Sequence, residues 1–341
     1  MAPFVSIVIP MYNATAWIAL TLQSVVAQSI PAERLETIIV DDRSSDDSVA
    51  VAREFLARHG MRGVVLESRR NEGAAAARNR GWAIAEGEWI QFLDADDILA
   101  PGKIALQSSF LSSIPADVAD DVAVVCSPWQ RLGPVRGAWR PYGPVIHPEL
   151  DGARGGSVIL KIVALNAGFL GPALIRKTHL AAVSGFSETV KYAEDEHLML
   201  KIAAAGGRFV QAPGDEPLFF VRQTPASKSR GSKLNLARQH IENVVMAERM
   251  LRDSHGGISP DDSKVIAGLC DWTLSQLYEH DRPAFQEYLQ WLRGVDPTFT
   301  PEHSSKLKLA TQVLGYENAE RLSLAYRRVK RWYARRTGKA P

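Results

Sequence analysis

A short apolar run that ends in acid occupies residues 88–97, which read EWIQFLDADD. Its apolar part, 89–93, is rich in aromatic and β-branched residues and predicts an interior strand of a covered sheet. Asp94 and Asp96 stand two residues apart, and in an extended chain that spacing directs both side chains to the same side. Because open α/β sheets bind ligands at the carboxyl ends of their strands, the sequence predicts a ligand site here.

The acidic end of this strand suits a divalent metal ion. Neighbouring carboxylates repel one another unless a cation joins them, and Mg²⁺ and Mn²⁺ both prefer oxygen ligands and leave room for substrate phosphates. The sequence therefore predicts a metal–diphosphate site at Asp94 and Asp96. A second interpretation stays open, in which residues 94–97 only cap the following helix, because Asp is a good N-cap and Pro101 suits a first helical turn.

Buried strands alternate with helices through the first part of the chain. Strands are expected at 5–10, 35–40, 64–66, 89–93 and 122–126. Helices are expected at about 16–28, from the polar turn at 43–48 to residue 59, at 74–85 and at 101–114. This alternation implies βαβ crossovers and an α/β fold with a mainly parallel sheet and flanking helices. No G-x-G-x-x-G follows the first strand and no G-x-x-x-x-G-K-[ST] occurs, so neither a dinucleotide-fold dehydrogenase nor a P-loop phosphotransferase is supported.

The pattern changes after residue 126. Residues 130–156 are rich in Gly, Pro, Arg and Trp and predict a long irregular excursion. Short strands are expected at 172–175, 209–211 and 218–221, with a helix at 197–205, and from 233 onward only helices, at about 260–281, 283–293, 303–314 and 317–336 among others. We therefore predict an α/β domain over 1–230, whose first hundred residues form a nucleotide-binding half, and an all-helical C-terminal extension over 231–341.

The formal net charge of +2 conceals an asymmetry. Eight Lys and Arg residues and no acid lie between residues 321 and 339, so the rest of the chain is acidic. An acidic body argues against a nucleic-acid partner, and the basic end indicates a specialised tail.

The expected last helix is amphipathic as well as basic. Its apolar stripe among arginines consists of Leu322, Tyr326, Val329 and Tyr333, with Trp332 nearby. This composition is typical of a helix that makes peripheral contact with an anionic membrane, here through residues 317–339. Packing against the body and a solvated end are the alternatives.

The cysteines, the N-terminal residues and the apolar runs indicate the cellular compartment. The two cysteines, Cys126 and Cys270, form neither a disulfide framework nor a zinc spacing, which fits a reducing compartment. The N-terminal residues lack a basic n-region, and no apolar run approaches the roughly 18 residues of a membrane span. We therefore expect a cytoplasmic protein, with at most a peripheral position on the cytoplasmic face of the membrane.

Five sequence fragments point together to a family. They are V-S-I-V-I-P-x-Y-N at 5–13, V-D-D-x-S at 40–44, N-x-G-x4-R-N-x-G at 71–81, L-D-x-D-D at 93–97 and E-D at 194–195. Each is weak alone, but in this order and at these spacings they resemble glycosyltransferase family 2, which has the GT-A fold. The resemblance extends over about residues 4–222.

The resemblance implies an activity. It implies an inverting, metal-dependent transfer of a sugar from a nucleoside-diphosphate sugar, with uridine diphosphate sugars favoured, to a hydroxyl of a glycan or glycolipid acceptor. Such enzymes serve cell-surface polysaccharide or glycoconjugate synthesis, and their acceptor half would correspond to 101–230. The lack of Q-x-x-R-W after Asp195 indicates a non-processive enzyme.

The resemblance also implies a role for each matching residue. The donor-binding set comprises Pro10 and Tyr12 at the base, Asp42 at the base or ribose, Gly73 and Arg78 near the nucleotide, Asp94 near the ribose and the metal, and Asp96 as a direct metal ligand. Asp195 matches the catalytic base. Arg43 departs from the family pattern, in which glycine is common after the two aspartates, and leaves the geometry of that turn open.

Several of these residues have a second interpretation. Glu194 and Asp195 also suit the acidic first turn of a helix, where the helix dipole favours negative charge. Asp42 also suits a helix cap near Ser45. Trp129 is expected either in the core or as an acceptor platform, and Glu194 is a further candidate acceptor contact.

The loop after the last predicted strand carries positive charge among Ser, Pro and Gly. Arg222, Lys228 and Arg230 are the candidate diphosphate contacts there. We expect this loop to close over the donor as a lid that excludes water. An ordinary solvated linker is the alternative.

Two other classes of protein compete with a glycosyltransferase. A nucleotidyltransferase normally has a Gly-rich, basic loop after its first strand, which P-M-Y-N at 10–13 does not resemble. A non-catalytic nucleotide-sugar-binding protein of the same fold stays open.

Overall fold

The computed structural model describes residues 4–148, 158–164, 170–224, 233–301 and 304–337. The chain divides into two compact units, Met1–Lys228 and Ser229–Pro341. The strands of the first unit are β1 Val5–Met11, β2 Leu35–Asp41, β3 Gly63–Glu67, β4 Trp89–Phe92, β5 Ile98–Leu99, β6 Val122–Cys126, β7 Trp129–Val135, β8 Ala138–Ile146, β9 Leu174–Arg176, β10 Arg208–Gln211 and β11 Phe219–Arg222. Its helices are α1 Ile18–Val26, α2 Ser48–Arg58, α3 Ala74–Ile84, α4 Lys103–Ser113, α5 Ala116–Ala119, α6 Val158–Ala164, α7 Lys177–Ala182 and α8 Glu194–Ala204, with a 3₁₀ turn at Ala32–Arg34.

The main sheet has seven strands in the order β10-β6-β9-β4-β1-β2-β3. β1 pairs in parallel with both β2 and β4, β2 with β3, and β6 with β10, whereas β9 runs antiparallel between β4 and β6. Ile7, Ile39 and Ile90 are fully buried, as expected for strands covered by helices on both faces. The predicted α/β fold with a mainly parallel sheet is confirmed.

The prediction of an irregular excursion over 130–156 is wrong for its described part. β7 and β8 pair as an antiparallel hairpin, and they extend a second sheet of order β5-β11-β7-β8. Arg136 and Gly137 form the turn with φ values of 51° and 80°, which is the left-handed geometry that a two-residue hairpin requires. The sequence hid this hairpin because Arg-Gly is a weak turn signal and because Pro141 disfavours a strand, although an edge strand such as β8 tolerates proline.

The idea that residues 94–97 merely cap the next helix is also wrong. β5 lies between them and α4, and its pairing with β11 was not apparent from two residues of sequence. α4 begins only at Lys103, after Gly102 with φ of 75°, and no side chain caps it. The acidic cluster is therefore free of any capping role at α4.

The second unit is helical throughout its described ranges. Its helices are α9 Lys233–His255, α10 Pro260–His280, α11 Arg282–Val295, α12 Ser305–Leu314 and α13 Tyr316–Thr337. Ser259 caps α10 by accepting the Asp262 N–H, and Asp281 caps α11 by accepting the Ala284 N–H. None of the helices in the described ranges has the length and hydropathy of a bilayer-spanning segment.

Helix α3 lies against the main sheet through a glycine, and this contact can be tested. A methyl group on Gly81 would overlap the Val8 side chain of β1, whereas one on Gly268 of α10 would meet no atom. We expect Gly81→Ala to lower the free energy of unfolding by about 1–3 kcal/mol. The matched Gly268→Ala should raise it by up to about 1 kcal/mol, because alanine is the better helix former. Denaturant unfolding measures both, and equal effects would contradict the close packing at Gly81.

Candidate active site

Three parallel strands of the main sheet end at one edge and place their following residues there. Tyr12 follows β1, Asp42 follows β2, and Asp94 comes just beyond β4. The Tyr12 ring is half exposed at 53%, and Pro10 beside it is partly buried. An exposed aromatic ring at this edge is suited to stacking on a flat ligand; the contact of Pro10 and Tyr12 with a nucleotide base stays a prediction.

Asp42 holds the loop that precedes α3. Its carboxylate accepts the backbone N–H groups of Glu72 at 2.8 Å and of Gly73 at 2.7 Å. The proposed cap near Ser45 is therefore wrong, since α2 begins at Ser48 and Asp42 bonds elsewhere. Gly73 has φ of 94°, which explains the need for glycine. A direct contact of Asp42 or Gly73 with the nucleotide stays a prediction.

The position occupied by Arg43 has a left-handed backbone, with φ of 68°. Glycine adopts this conformation at no steric cost, whereas arginine does so with strain. The structure thus explains why glycine suits this position, and it shows that the turn keeps the geometry that glycine favours although Arg43 occupies it.

Arg78 joins two acidic groups that are far apart in the sequence. Its Nη2 lies 2.7 Å from Asp94 Oδ1 and its Nη1 lies 3.1 Å from Glu194 Oε1. The Arg78 side chain is only 6% exposed, so both ion pairs are shielded from water on the arginine side. With two of its nitrogens taken by carboxylates, Arg78 connects the acidic turn with the start of α8 rather than standing open to a ligand.

The surroundings of Arg78 fix its position. Its guanidinium lies 5.4 Å from the centroid of the Phe186 ring, which in turn packs edge-on against Phe92 of β4. The neighbouring Asn79 exchanges two hydrogen bonds of 2.9 Å with the backbone of Phe186. The R-N pair of the third fragment thus anchors the turn at residue 186 to α3.

Residues 94–97 form a tight turn rather than an extended strand tip. β4 ends at Phe92, and the Asp97 N–H donates to the Asp94 carbonyl at 3.0 Å. Thr21 of α1 donates to the carbonyl oxygens of Ala95 and Asp97, both at 2.9 Å. The alternation that would put Asp94 and Asp96 on one side of a strand therefore does not apply, and the turn sets their directions.

Arg222 holds the other side of this turn. Its Nε donates to the Asp96 carbonyl at 2.6 Å, and its backbone N–H donates to Asp97 Oδ1 at 2.8 Å. The guanidinium lies 4.7 Å from the Trp17 ring centroid and 5.2 Å from that of Trp139. The two rings themselves pack edge-on at 5.3 Å, so two tryptophans enclose the arginine beside the acidic turn.

The sequence did not single out Trp17, Trp139 or Thr224, whose Oγ1 lies 3.4 Å from Asp96 Oδ2. Trp17 and Trp139 are more than a hundred residues apart in the chain and meet only because the fold brings β8 next to the residue that precedes α1. No local pattern signals such a meeting. An alternating apolar pattern in the hairpin would have been the one usable signal, and prolines and glycines obscure it.

Burial and mutual repulsion make the acidic turn costly to ionise. Burial, and then repulsion from Asp94, raises the pKa of Asp96 to about 6. Burial, and then repulsion from Asp96, raises the pKa of Asp97 well above its ordinary value. A cation at this turn would relieve both effects.

The helix α8 starts with the pair Glu194 and Asp195, in line with the acidic first turn expected there. Burial, and then repulsion from Glu194, raises the pKa of Asp195, while the Arg78 guanidinium acts in the opposite direction. The preceding Ala193 has φ of 48°, a left-handed conformation that alanine adopts only with strain. Arg78 thus brings this helix start next to the acidic turn.

Two further sequence candidates have different outcomes. Trp129 is only 7% exposed and packs in the core with Ile7 and Phe219, which favours the core alternative over an acceptor platform. Lys228 and Arg230 lie outside the described residues, so the lid stays a prediction.

The carboxylate oxygens at the acidic turn suit Mg²⁺ or Mn²⁺ as ligands. Asp94 and Asp96 offer hard carboxylate oxygens, and a divalent ion would offset the burial and the repulsion from Asp94 that raise the pKa of Asp96. Within the described ranges, no three His, Cys, Asp or Glu side chains are grouped to hold an ion. An ion bound here would therefore complete its shell with ligand oxygens or water.

Comparison with known proteins supports the family resemblance noted in the sequence. The model of the family described as "Glycosyl transferase family 2" matches residues 6–146, which include β1, the acidic turn and the hairpin. Residues 6–146 are thus similar to glycosyl transferase family 2. The family resemblance seen in the sequence is confirmed.

A relative and two solved structures illustrate the similarity. The minor teichoic acid biosynthesis protein GgaB of Bacillus subtilis is 34% identical over 97 residues, which are 28% of this chain and 11% of that protein. S. aureus TarS 1–349 in complex with UDP-GlcNAc has a TM-score of 0.63 at 17% identity, with 95% of this chain and 91% of that chain covered. The mannosyltransferase PcManGT from Pyrobaculum calidifontis, in complex with GDP-Man and Mn²⁺, has a TM-score of 0.54 at 19% identity, with 94% and 87% covered.

These similarities show the fold, and the curated relatives are matched over only part of their length. The chain has the GT-A fold, followed by a helical C-terminal region, as the sequence predicted. The chain spans only 11% and 42% of the length of the first two curated relatives that it matches.

The electrostatics of the acidic turn predict a pH-dependent effect of Asp96→Asn. The folded pKa of Asp96, about 6, lies above the ordinary 3.8, so the folded state binds its proton more tightly than the unfolded state does. The free energy of unfolding therefore falls as the pH rises through about 4 to 6. We expect Asp96→Asn to raise the free energy of unfolding by about 1–3 kcal/mol at about pH 8 and to change it little at about pH 4.

Denaturant unfolding in the presence of a chelator measures this effect. The exposed Asp215→Asn is the matched control and should show no gain that depends on pH. An equal gain at both pH values for Asp96→Asn would contradict a charge penalty at the turn.

Proposed function

We propose that the protein is an inverting, metal-dependent, non-processive glycosyltransferase that moves a sugar from a nucleoside-diphosphate sugar to an acceptor hydroxyl. The observation that carries the proposal is the Arg78 bridge, in which one guanidinium contacts Asp94 on the donor side and Glu194 beside the candidate base. A displacement at a sugar carbon needs its leaving group and its base in one site. The Arg78 bridge lies between Asp94, proposed for the leaving group, and Glu194, which precedes the proposed base.

The proposed donor is a uridine diphosphate sugar. The similar TarS structure contains UDP-GlcNAc, which supports this choice, whereas PcManGT is described with GDP-Man. The exposed ring of Tyr12 would stack on the base, with Asp42 and Gly73 at the nucleoside. The description of GgaB as a minor teichoic acid biosynthesis protein supports a role in cell-surface polysaccharide or glycoconjugate synthesis.

Asp195 is the proposed general base. Its raised pKa makes it a stronger base than an exposed aspartate, and it would take the proton of the acceptor hydroxyl as that oxygen attacks. The acceptor oxygen forms a bond to the anomeric carbon while the bond from that carbon to the diphosphate oxygen breaks, and the electron pair leaves with the diphosphate. A single displacement of this kind inverts the anomeric carbon.

Asp96 and Asp94 would hold the divalent ion. When bound, Mg²⁺ or Mn²⁺ supplies positive charge that stabilises the leaving diphosphate, and the presence of Mn²⁺ with PcManGT supports this part of the proposal. Arg222, which the two tryptophans hold beside the same turn, would add a protein cation on the diphosphate side. Lys228 and Arg230 would continue this positive charge as a lid.

The proposed acceptor is a glycan or glycolipid that the protein meets at the cytoplasmic face of a membrane. Glu194 is the proposed acceptor contact, because it lies beside Asp195 at the start of α8. Its ion pair with Arg78 would hold the carboxylate in place while the acceptor binds.

Replacement of the base tests the function. Asp195→Asn should lower sugar transfer by about 10²–10⁴-fold, because general base catalysis contributes on that scale, while the affinity for the donor changes little. A panel of nucleotide sugars with Mn²⁺, scored by thermal stabilisation and then by product formation, identifies the donor first. Asp215→Asn is the control and should transfer at the normal rate. Donor binding by the unmodified protein without any transfer would identify a non-catalytic binding protein instead.

The bridge predicts a separate effect on rate. Arg78→Lys keeps one positive charge but lacks the two-armed geometry that reaches Asp94 and Glu194 together. We expect kcat to fall at least about tenfold, by more than the donor KM rises, because the geometry serves the transition state. Arg80→Lys, two residues along the chain in a partly exposed pair with Glu72, should leave kcat unchanged.

The pH profile separates positioning from a purely structural role. Arg78→Met removes the cation that lowers the pKa of Asp195, so the acid limb of kcat should move to higher pH. A loss of thermal stability with an unchanged pH profile would contradict the positioning role of Arg78.

A further inference from the structure

The most exposed large apolar side chains of the described chain lie on its last two helices. The seven most exposed large apolar residues, each more than half exposed, are Leu309, Val313, Leu322, Tyr326, Val329, Trp332 and Tyr333. We call these seven residues of α12 and α13 the apolar face. A set of this size is unusual on a surface that meets only water.

The apolar stripes of the two helices adjoin at the contact between Lys306 and Tyr326. Residues 322, 326, 329 and 333 recur at three- and four-residue spacing, so they share one side of α13. On α12, Leu309 and Val313 share a side with Lys306, whose ammonium lies 5.9 Å from the ring centroid of Tyr326. Lys306 therefore marks the line along which the two apolar stripes adjoin.

The opposite sides of both helices already serve the core of the second unit. Leu307 of α12 and Leu324 of α13 are 3% and 6% exposed. Glu320 is fully buried, where it accepts hydrogen bonds from Ser275 of α10 and from Arg327. The apolar face is thus an additional surface and not the side by which these helices fold.

Charge determines which partner the apolar face suits. From residue 321 to 339 the chain carries eight basic residues and no acid, and the Arg336 guanidinium lies 4.6 Å from the Trp332 ring centroid. A second copy of the chain would bring this basic region against its own equivalent, which like charges oppose. An anionic lipid surface instead offers countercharge for the basic groups and an apolar layer for the aromatic and aliphatic side chains.

We infer that the apolar face of α12 and α13 binds the surface of an anionic bilayer, with both helices lying in the interfacial plane. Tyr326, Trp332 and Tyr333 would sit at the headgroup level, where amphipathic rings are favoured. The contacts above support the surface itself, whereas its use, to bring the enzyme to a lipid-borne acceptor, rests on the proposed function.

Vesicle flotation of the full chain tests this inference. We expect the protein to float with vesicles of equimolar phosphatidylcholine and phosphatidylglycerol, less so at high salt, and not with phosphatidylcholine alone. Val329→Ser combined with Tyr333→Ser should weaken flotation at least about tenfold, because the buried apolar area drives insertion. Val265→Ser, which changes an exposed valine of α10, is the matched control and should float normally.

A charge variant tests the electrostatic half of the inference. Arg328→Glu combined with Lys330→Glu should weaken binding to the mixed vesicles at least about tenfold, because each basic residue near an anionic surface adds attraction. Arg249→Glu on α9, also exposed, is the matched control and should bind with nearly unchanged affinity.

Three outcomes would overturn the inference. They are equal flotation with both kinds of vesicle, flotation that the apolar-face variant leaves unchanged, and a dimer in light scattering that the Val329→Ser, Tyr333→Ser variant abolishes. Donor binding is measured on the same proteins and should be unaffected by these changes. Lost flotation with intact transfer would leave the proposed function standing, and flotation without donor binding would leave the lipid surface standing.

Discussion

The site depends on one buried cation. Arg78 lies on the Phe186 ring with both ends of its guanidinium on carboxylates, so Asp94 and Glu194 are held on either side of it. Removal of one partner from a buried ion pair leaves an uncompensated charge, which is strongly unfavourable. The start of α8, and with it Asp195, therefore cannot move away from the acidic turn without a large penalty.

The acidic turn is held just as firmly from its other side. Thr21, Arg222 and the turn's own backbone hydrogen bond satisfy its carbonyl groups, and two tryptophan rings enclose the Arg222 guanidinium. These contacts leave the carboxylate of Asp96 close to Asp94 and partly buried, which raises its pKa. The turn thus holds buried carboxylates that repel one another, and a bound cation would relieve that repulsion.

Much of the fold could be read from local patterns. The buried strands of the main sheet are apolar runs in the sequence, and the three- and four-residue spacing of apolar residues predicts the helices of the second unit. The β7–β8 hairpin was missed because its turn residues, Arg136 and Gly137, carry only a weak signal and because prolines interrupt its strands. The two-residue strand β5 was missed because its pairing with β11, about 120 residues away, is what makes it a strand.

The sequence by itself determined the buried strands of the main sheet and the tyrosine and aspartates that follow them, because side-chain type and strand period are local properties. Only the tertiary structure decided that Arg78 contacts Asp94 and Glu194, that Asp42 is occupied by the Glu72 and Gly73 amides, and that Trp129 is core. Only it decided that α12 and α13 expose one apolar face. The physical reason is that ion pairs, ring contacts and burial depend on residues that are distant in the chain, and no local pattern specifies which of them will meet.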